Sequence, residues 1–86
     1  MPVNSIPHVE VAHPRGGHRV WLRFDDGLEG EIDLSGELQG EVFEPLRDPA
    51  YFADFRVEDT LVWPNGADFA PEFLRELVQR AERRVD

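Results

Sequence analysis

Two histidines, His13 and His18, flank the segment Pro14-Arg15-Gly16-Gly17, so their imidazoles could face each other across a hairpin loop and hold zinc. A structural zinc site needs four ligands and a catalytic one three. His8 falls on the opposite strand face and cysteine is absent, so no third ligand is placed and no metal is expected. Asp25, Asp26, Glu29 and Asp33 invite a calcium reading, but the D-x-[DN]-x-[DN]-G loop with its distant Glu is missing. Two carboxylates can also divide acid and base roles, which requires a cleft and unlike surroundings for the two groups. An acidic strand face with arginines opposite supplies neither. There is no Cys nucleophile, Ser5 and Ser35 lack a Gly-x-Ser-x-Gly context, and no glycine loop is built to cradle phosphate. The expectation is a chain without catalytic residues and without a cofactor.

Two further groups are candidates for contact. Arg19, Trp21 and Arg23 resemble a platform on which bases stack, but Glu29, Glu31 and Asp33 would lie opposite and cancel its field. In Trp63-Pro64-Asn65-Gly66-Ala67-Asp68, the aspartate stands between a glycine turn and a helix start, where its side chain is expected to accept backbone N–H bonds. Trp21, Trp63, Asn65 and Asp68 are therefore the candidate binding residues, each with a structural role to weigh against it.

These groups must be positioned by a small fold. With 86 residues there is room for one domain, taken as 1–86 with a flexible N-terminus over about 1–6. Absence of cysteine leaves packing alone to hold it and suits a reducing cytoplasm. Residues Met1 to His8 have no apolar run of the signal-peptide kind, and no stretch approaches a membrane span. Residues 25–68 carry thirteen acids against Arg47 and Arg56, a net of −11 within a chain of net −9. Phosphate backbones attract Lys and Arg, so this chain alone is not expected to bind nucleic acid. An acidic run keeps a small protein soluble, and it also suits a small basic protein as partner.

Alternation predicts three strands. Val9 and Val11 share a face of the first; Val20, Leu22 and Phe24 share one of the second; Leu28, Ile32 and Leu34 share one of the third. Asp25-Asp26-Gly27 suits a three-residue hairpin loop closed by a left-handed glycine. Pairing Phe24 with Leu28 sets Leu22 against Gly30, Val20 against Ile32, Arg23 against Glu29, Trp21 against Glu31 and Arg19 against Asp33. One face is then apolar and the other pairs opposite charges, and a one-residue slip destroys both patterns. The first hairpin is expected to set Val11 against Val20 and Val9 against Leu22. Pro45 and Pro49 limit Glu41–Phe52 to short helical turns, a lid burying Val42, Phe43, Leu46, Tyr51 and Phe52. Phe55–Glu58 and Leu61–Trp63 form a second short hairpin. From Pro71 the period becomes helical, with Phe73, Leu74, Leu77, Val78 and Ala81 on one stripe and Glu76 and Arg80 paired one turn apart. The fold class is α+β: an antiparallel meander, a second hairpin, a proline-bounded lid, and a C-terminal helix packed on one sheet face.

The string Val62-Trp63-Pro64-Asn65-Gly66-Ala67-Asp68-Phe69-Ala70-Pro71-Glu72-Phe73-Leu74 resembles the closing signature of a bacterial family, domain of unknown function 2442. Phe24-Asp25-Asp26-Gly27, Glu31-Ile32-Asp33-Leu34, Val42-Phe43-Glu44-Pro45-Leu46-Arg47-Asp48 and Phe52 match in order, so the resemblance covers roughly residues 7–75. It departs at Phe73-Leu74, where many relatives have leucine followed by tyrosine. The resemblance implies a small α+β domain with no established catalytic residues. Some relatives carry a DNA-binding helix-turn-helix after the domain, which is not expected in these 86 residues. Members often lie beside another small protein, implying a toxin–antitoxin-like pair. The expected function is a non-enzymatic interaction or regulatory module; a homodimer through strand edges is a further expectation. The alternative is an enzyme or small-molecule binder with the Trp63–Asp68 turn as pocket wall.

Overall fold

The computed structural model describes residues 7–82; the flexible segment expected at about 1–6 lies outside them. Strands β1 (Val9–Pro14), β2 (Arg19–Phe24) and β3 (Glu29–Asp33) form an antiparallel sheet in the order β1-β2-β3. A 3-10 turn at Ser35–Glu37 and a longer 3-10 segment at Glu41–Arg47 lead into α1 (Pro49–Phe52). Strands β4 (Arg56–Val57) and β5 (Leu61–Val62) pair as a second hairpin, and α2 (Pro71–Glu82) closes the described chain. The architecture is α+β.

The β2–β3 register is the expected one at every pair: Arg19 with Asp33, Val20 with Ile32, Trp21 with Glu31, Leu22 with Gly30 and Arg23 with Glu29. The turn closes through Phe24 N–H donating to the Leu28 carbonyl at 2.8 Å, with Gly27 at φ 91°, a conformation that costs glycine little. The driving force is burial. Val20, Leu22, Phe24 and Leu34 are fully buried on the inner face, and each such side chain contributes about 1.5–3 kcal/mol.

The first hairpin departs from expectation. Val9 pairs with Phe24, not Leu22, and Val11 pairs with Arg23, not Val20. The turn sets Pro14 against Val20, with the Arg15 N–H donating to the Arg19 carbonyl, which displaces the ladder from the expected register, and a bulge between Val9 and Val11 then shifts it by one residue. The extra residue moves Val11 to the outer face, and Ala12 takes the inner position opposite Leu22. The lid is also partly corrected. Leu46 and Phe52 are fully buried and Phe43 and Tyr51 half-buried, but Val42 is 48% exposed. Pro45 sits inside the 3-10 segment, and Asp48 caps α1 by accepting the Ala50 N–H at 3.0 Å, with Pro49 at the first helical position.

Helix α2 lies on the inner face at β3. Leu74 and Val78 are fully buried and Phe73 and Leu77 half-buried, but Ala81, the last member of the expected stripe, is exposed. Gly30 allows the close approach, since a Cβ there would stand 3.1 Å from Val78 Cγ1. The centre of the core is Trp63, fully buried among Phe52, Phe55 and Phe69, with its indole Nε1–H donating to the Phe52 carbonyl at 2.7 Å.

Candidate interaction surface

The outer face of the sheet is where the ionic side chains of β2 and β3 collect. The β1 bulge adds Val11 and His13 to that face, opposite Arg23 and Trp21. The His13 and Trp21 rings stack, with centroids 5.7 Å apart and planes 20° from parallel. Trp21 is half-buried, so an aromatic surface stands in the middle of a charged sheet face. Arg19 reaches Glu31 at 3.8 Å, and both side chains are largely in water, where such a pair contributes little. Asp33 is held below the ordinary carboxylate value by the Ser35 N–H, which its carboxylate accepts at 2.9 Å, then by the Ser35 hydroxyl and the Arg19 charge.

Strand β3 has one open edge. Leu28 and Leu34 exchange backbone bonds with β2, Leu28 through its carbonyl to Phe24 and Leu34 through its N–H to His18. In an antiparallel ladder the direction alternates residue by residue, so Gly30 and Ile32 also point their amides at β2. The N–H and C=O groups of Glu29, Glu31 and Asp33 therefore point away from the sheet, where no described strand pairs with them. The opposite edge is partly taken, since Val9 N–H donates to the Asp59 carbonyl at 2.9 Å beside β4. Along β3, between the edge and α2, runs an open depression of about 580 Å³ lined by Arg19, Glu31, Ile32, Asp33, Leu77, Arg80 and Ala81. Arg80 is engaged by Glu76 at 2.8 Å, the pair expected from their spacing.

A second depression, about 410 Å³, lies among Asp25, Asp26, Glu72, Arg75, Glu76 and Gln79. Arg75 binds Asp26 across it, Nε to Oδ2 at 3.2 Å. That bond, followed by the Leu28 N–H, lowers the Asp26 pKa. Two of the charged groups on its wall are thus engaged with each other.

The other candidate residues take different places. His13 and His18 do not face each other: His13 stacks on Trp21, while His18 Nε2 lies 2.9 Å from both the Leu46 and Arg47 carbonyls. Two acceptors at one nitrogen require that Nε2 carry the proton, so His18 ties β2 to the lid. No cluster of three ligating side chains occurs among the described residues. Trp63 is wholly internal and presents nothing to a partner. Asp68 is exposed and makes no side-chain hydrogen bond among the described residues; only its backbone is engaged, bridging to Val62. The role expected of Asp68 belongs to Asn65, whose Oδ1 accepts the Ala67 N–H at 3.1 Å while Nδ2 donates to the Val42 carbonyl at 2.8 Å. The Trp63–Asp68 turn lines neither depression, because Trp63 and Ala67 fill its inner side. Of the four candidates, only Trp21 stands on the outer face of the sheet; Asp68 is exposed elsewhere, at the turn before α2.

Sheet, lid and helix define a small α+β domain in which, among the described residues, one polar sheet face and one strand edge stand open. The chain belongs to the family described as protein of unknown function (DUF2442), whose family model matches residues 9–80. No curated protein and no solved structure matches it. No helix among the described residues is long and apolar enough to cross a membrane.

Proposed function

We propose that this chain is a non-enzymatic binding module for a small basic protein, its companion in a toxin–antitoxin-like pair. The observation that carries this reading is the outer sheet face. A half-buried Trp21 stacked on His13 supplies aromatic contact area, and beside it Glu29, Glu31 and Asp33 outnumber Arg19 and Arg23, leaving the face a net negative charge. Aromatic anchors contribute most of the energy at interfaces, and charge around them selects the partner and speeds encounter. The excess of acid over base in residues 25–68 favours Lys- and Arg-rich surfaces over nucleic acid. The cytoplasm suits such a module, since a cysteine-free domain needs no oxidising compartment.

The test is co-expression with the product of the adjacent gene, followed by size-exclusion chromatography at physiological salt. A complex that weakens as salt rises, and weakens again in Trp21→Ala with folding intact, supports the reading. Failure of the two proteins to co-elute at any salt overturns it.

A further inference from the structure

We propose that the open edge of β3 takes one strand of the basic partner into the sheet, and that this strand alternates basic and apolar residues. The inference rests on the proposed binding of a basic protein and deepens it to a place and a pattern. An exposed edge offers a row of N–H and C=O groups to an incoming strand, and side chains alternate to the two faces of the enlarged sheet. On the outer face, the incoming side chains would stand opposite Glu29, Glu31 and Asp33, whose amides are the ones directed outward. On the inner face, the intervening side chains would enter the depression formed with α2, against Ile32, Leu77 and Ala81. Charge selects one face of the strand and apolar surface selects the other, with a period of two.

A second copy of this chain is the rival occupant. Two β3 strands paired antiparallel about Glu31 would set Glu31 against Glu31 and Glu29 against Asp33. Like charges directly opposite are destabilising. The edge is thus built to refuse itself and to accept a strand of opposite charge.

The full chain, labelled with ¹⁵N, is titrated with a synthetic heptapeptide alternating Arg and Val, long enough to span β3 at about 3.3 Å per residue. The control has the same composition with Arg and Val in two blocks. The alternating peptide is expected to shift the amides of Glu29, Glu31 and Asp33 and slow their hydrogen exchange. Methylating the peptide nitrogens that face β3 is expected to weaken binding by about tenfold or more. Glu31→Pro, which removes an outward N–H and leaves the β2 ladder its bonds, is expected to do the same, as is Ala81→Arg, which blocks the depression. The methylated peptide needs no protein variant, so the test stands if Glu31→Pro does not fold. Equal binding of the blocked peptide, shifts confined to other acidic positions, or indifference to methylation would each overturn the inference. A basic partner that binds without touching the β3 amides would overturn this inference and leave the proposed function standing. Specific edge binding of the peptide with no adjacent-gene complex would do the reverse.

Discussion

Asn65 and Asp68 show how much a side chain's surroundings decide its worth. Both are polar, both lie in the turn before α2, and both have the chemistry of a cap. Only Asn65 is used: it closes the turn on Ala67 and ties it to the lid at the Val42 carbonyl. A hydrogen bond of this kind contributes about 0.5–1.5 kcal/mol. Asn65→Ala, which loses both, should therefore destabilise the fold by about 1–3 kcal/mol, and Asp68→Ala should leave it within about 0.5 kcal/mol. Urea unfolding of the two variants separates them, and the reverse ranking would assign the capping role to Asp68 after all. Acid sensitivity belongs to this scale too. Asp26 is held below the ordinary carboxylate value by its Arg75 bond and the Leu28 N–H, and Asp33 by the Ser35 N–H. A carboxyl depressed in the folded state stabilises it above the unfolded pKa, and that contribution is lost as pH falls through the folded value. Both groups are well exposed, so the effect is small and screened. The gap in Tm between the wild type and Asp26→Asn or Asp33→Asn should be widest above about pH 5 and close by about pH 2. A gap independent of pH would assign these residues no such role.

At the level of elements, Gly30 and Val78 set how closely α2 approaches the sheet. With 3.1 Å between a built Cβ and Val78 Cγ1, Gly30→Ala forces the fully buried valine or the whole helix to yield. Overpacking of this sort typically costs about 1–3 kcal/mol. Val78→Ala alone opens a cavity and also destabilises. The double variant should be more stable than the sum of the two single losses, by about 0.5 kcal/mol or more, as expected for side chains sharing one space. Strict additivity in a denaturant series would place the helix farther from β3 than the structure has it. The same pair shows what the amino-acid order discloses. The β2–β3 register was legible because two independent patterns, apolar and ionic, agree on it and fail together on a slip. The β1 register was not, because Val9 and Val11 alternate as well in a bulged strand as in a regular one, and only Ala12 hints at the changed face. The anchoring of His18 on the lid was equally hidden, since the carbonyls of Leu46 and Arg47 carry no side-chain signature. The place of Trp21 on the outer face could be read from the alternation of β2. That strand edges would stand open followed from the two hairpins, but that β3 rather than β1 is the freer one did not, because it depends on where β4 packs, a matter of topology that no local pattern records.

The whole molecule must keep that open edge without aggregating. Strand edges invite pairing between copies, and natural proteins guard them with charge, covering elements or bulges. Here β1 has a bulge and the Asp59 contact, whereas β3 has Glu29, Glu31 and Asp33. If charge is the guard, the chain alone is a monomer at physiological salt despite its free edge, because each acid facing an acid across a copy-to-copy ladder opposes the gain from backbone pairing. Glu29→Thr with Glu31→Val removes the guard and keeps the strand-forming character, leaving Asp33 to hold Ser35. That variant is expected to self-associate in sedimentation velocity at high micromolar concentration, with the wild type sedimenting as a monomer alongside. Salt supplies an independent check. Screening length falls from about 8 Å at physiological ionic strength to about 3 Å at 1 M, less than the spacing of side chains across a ladder. The wild type should therefore begin to associate at 1 M salt and return to monomer on dilution, while a basic partner strand should leave the edge under the same conditions. A variant that stays monomeric at every salt concentration would mean that shape, not charge, closes β3 to its own copies, and the preference for a basic strand would lose its physical cause.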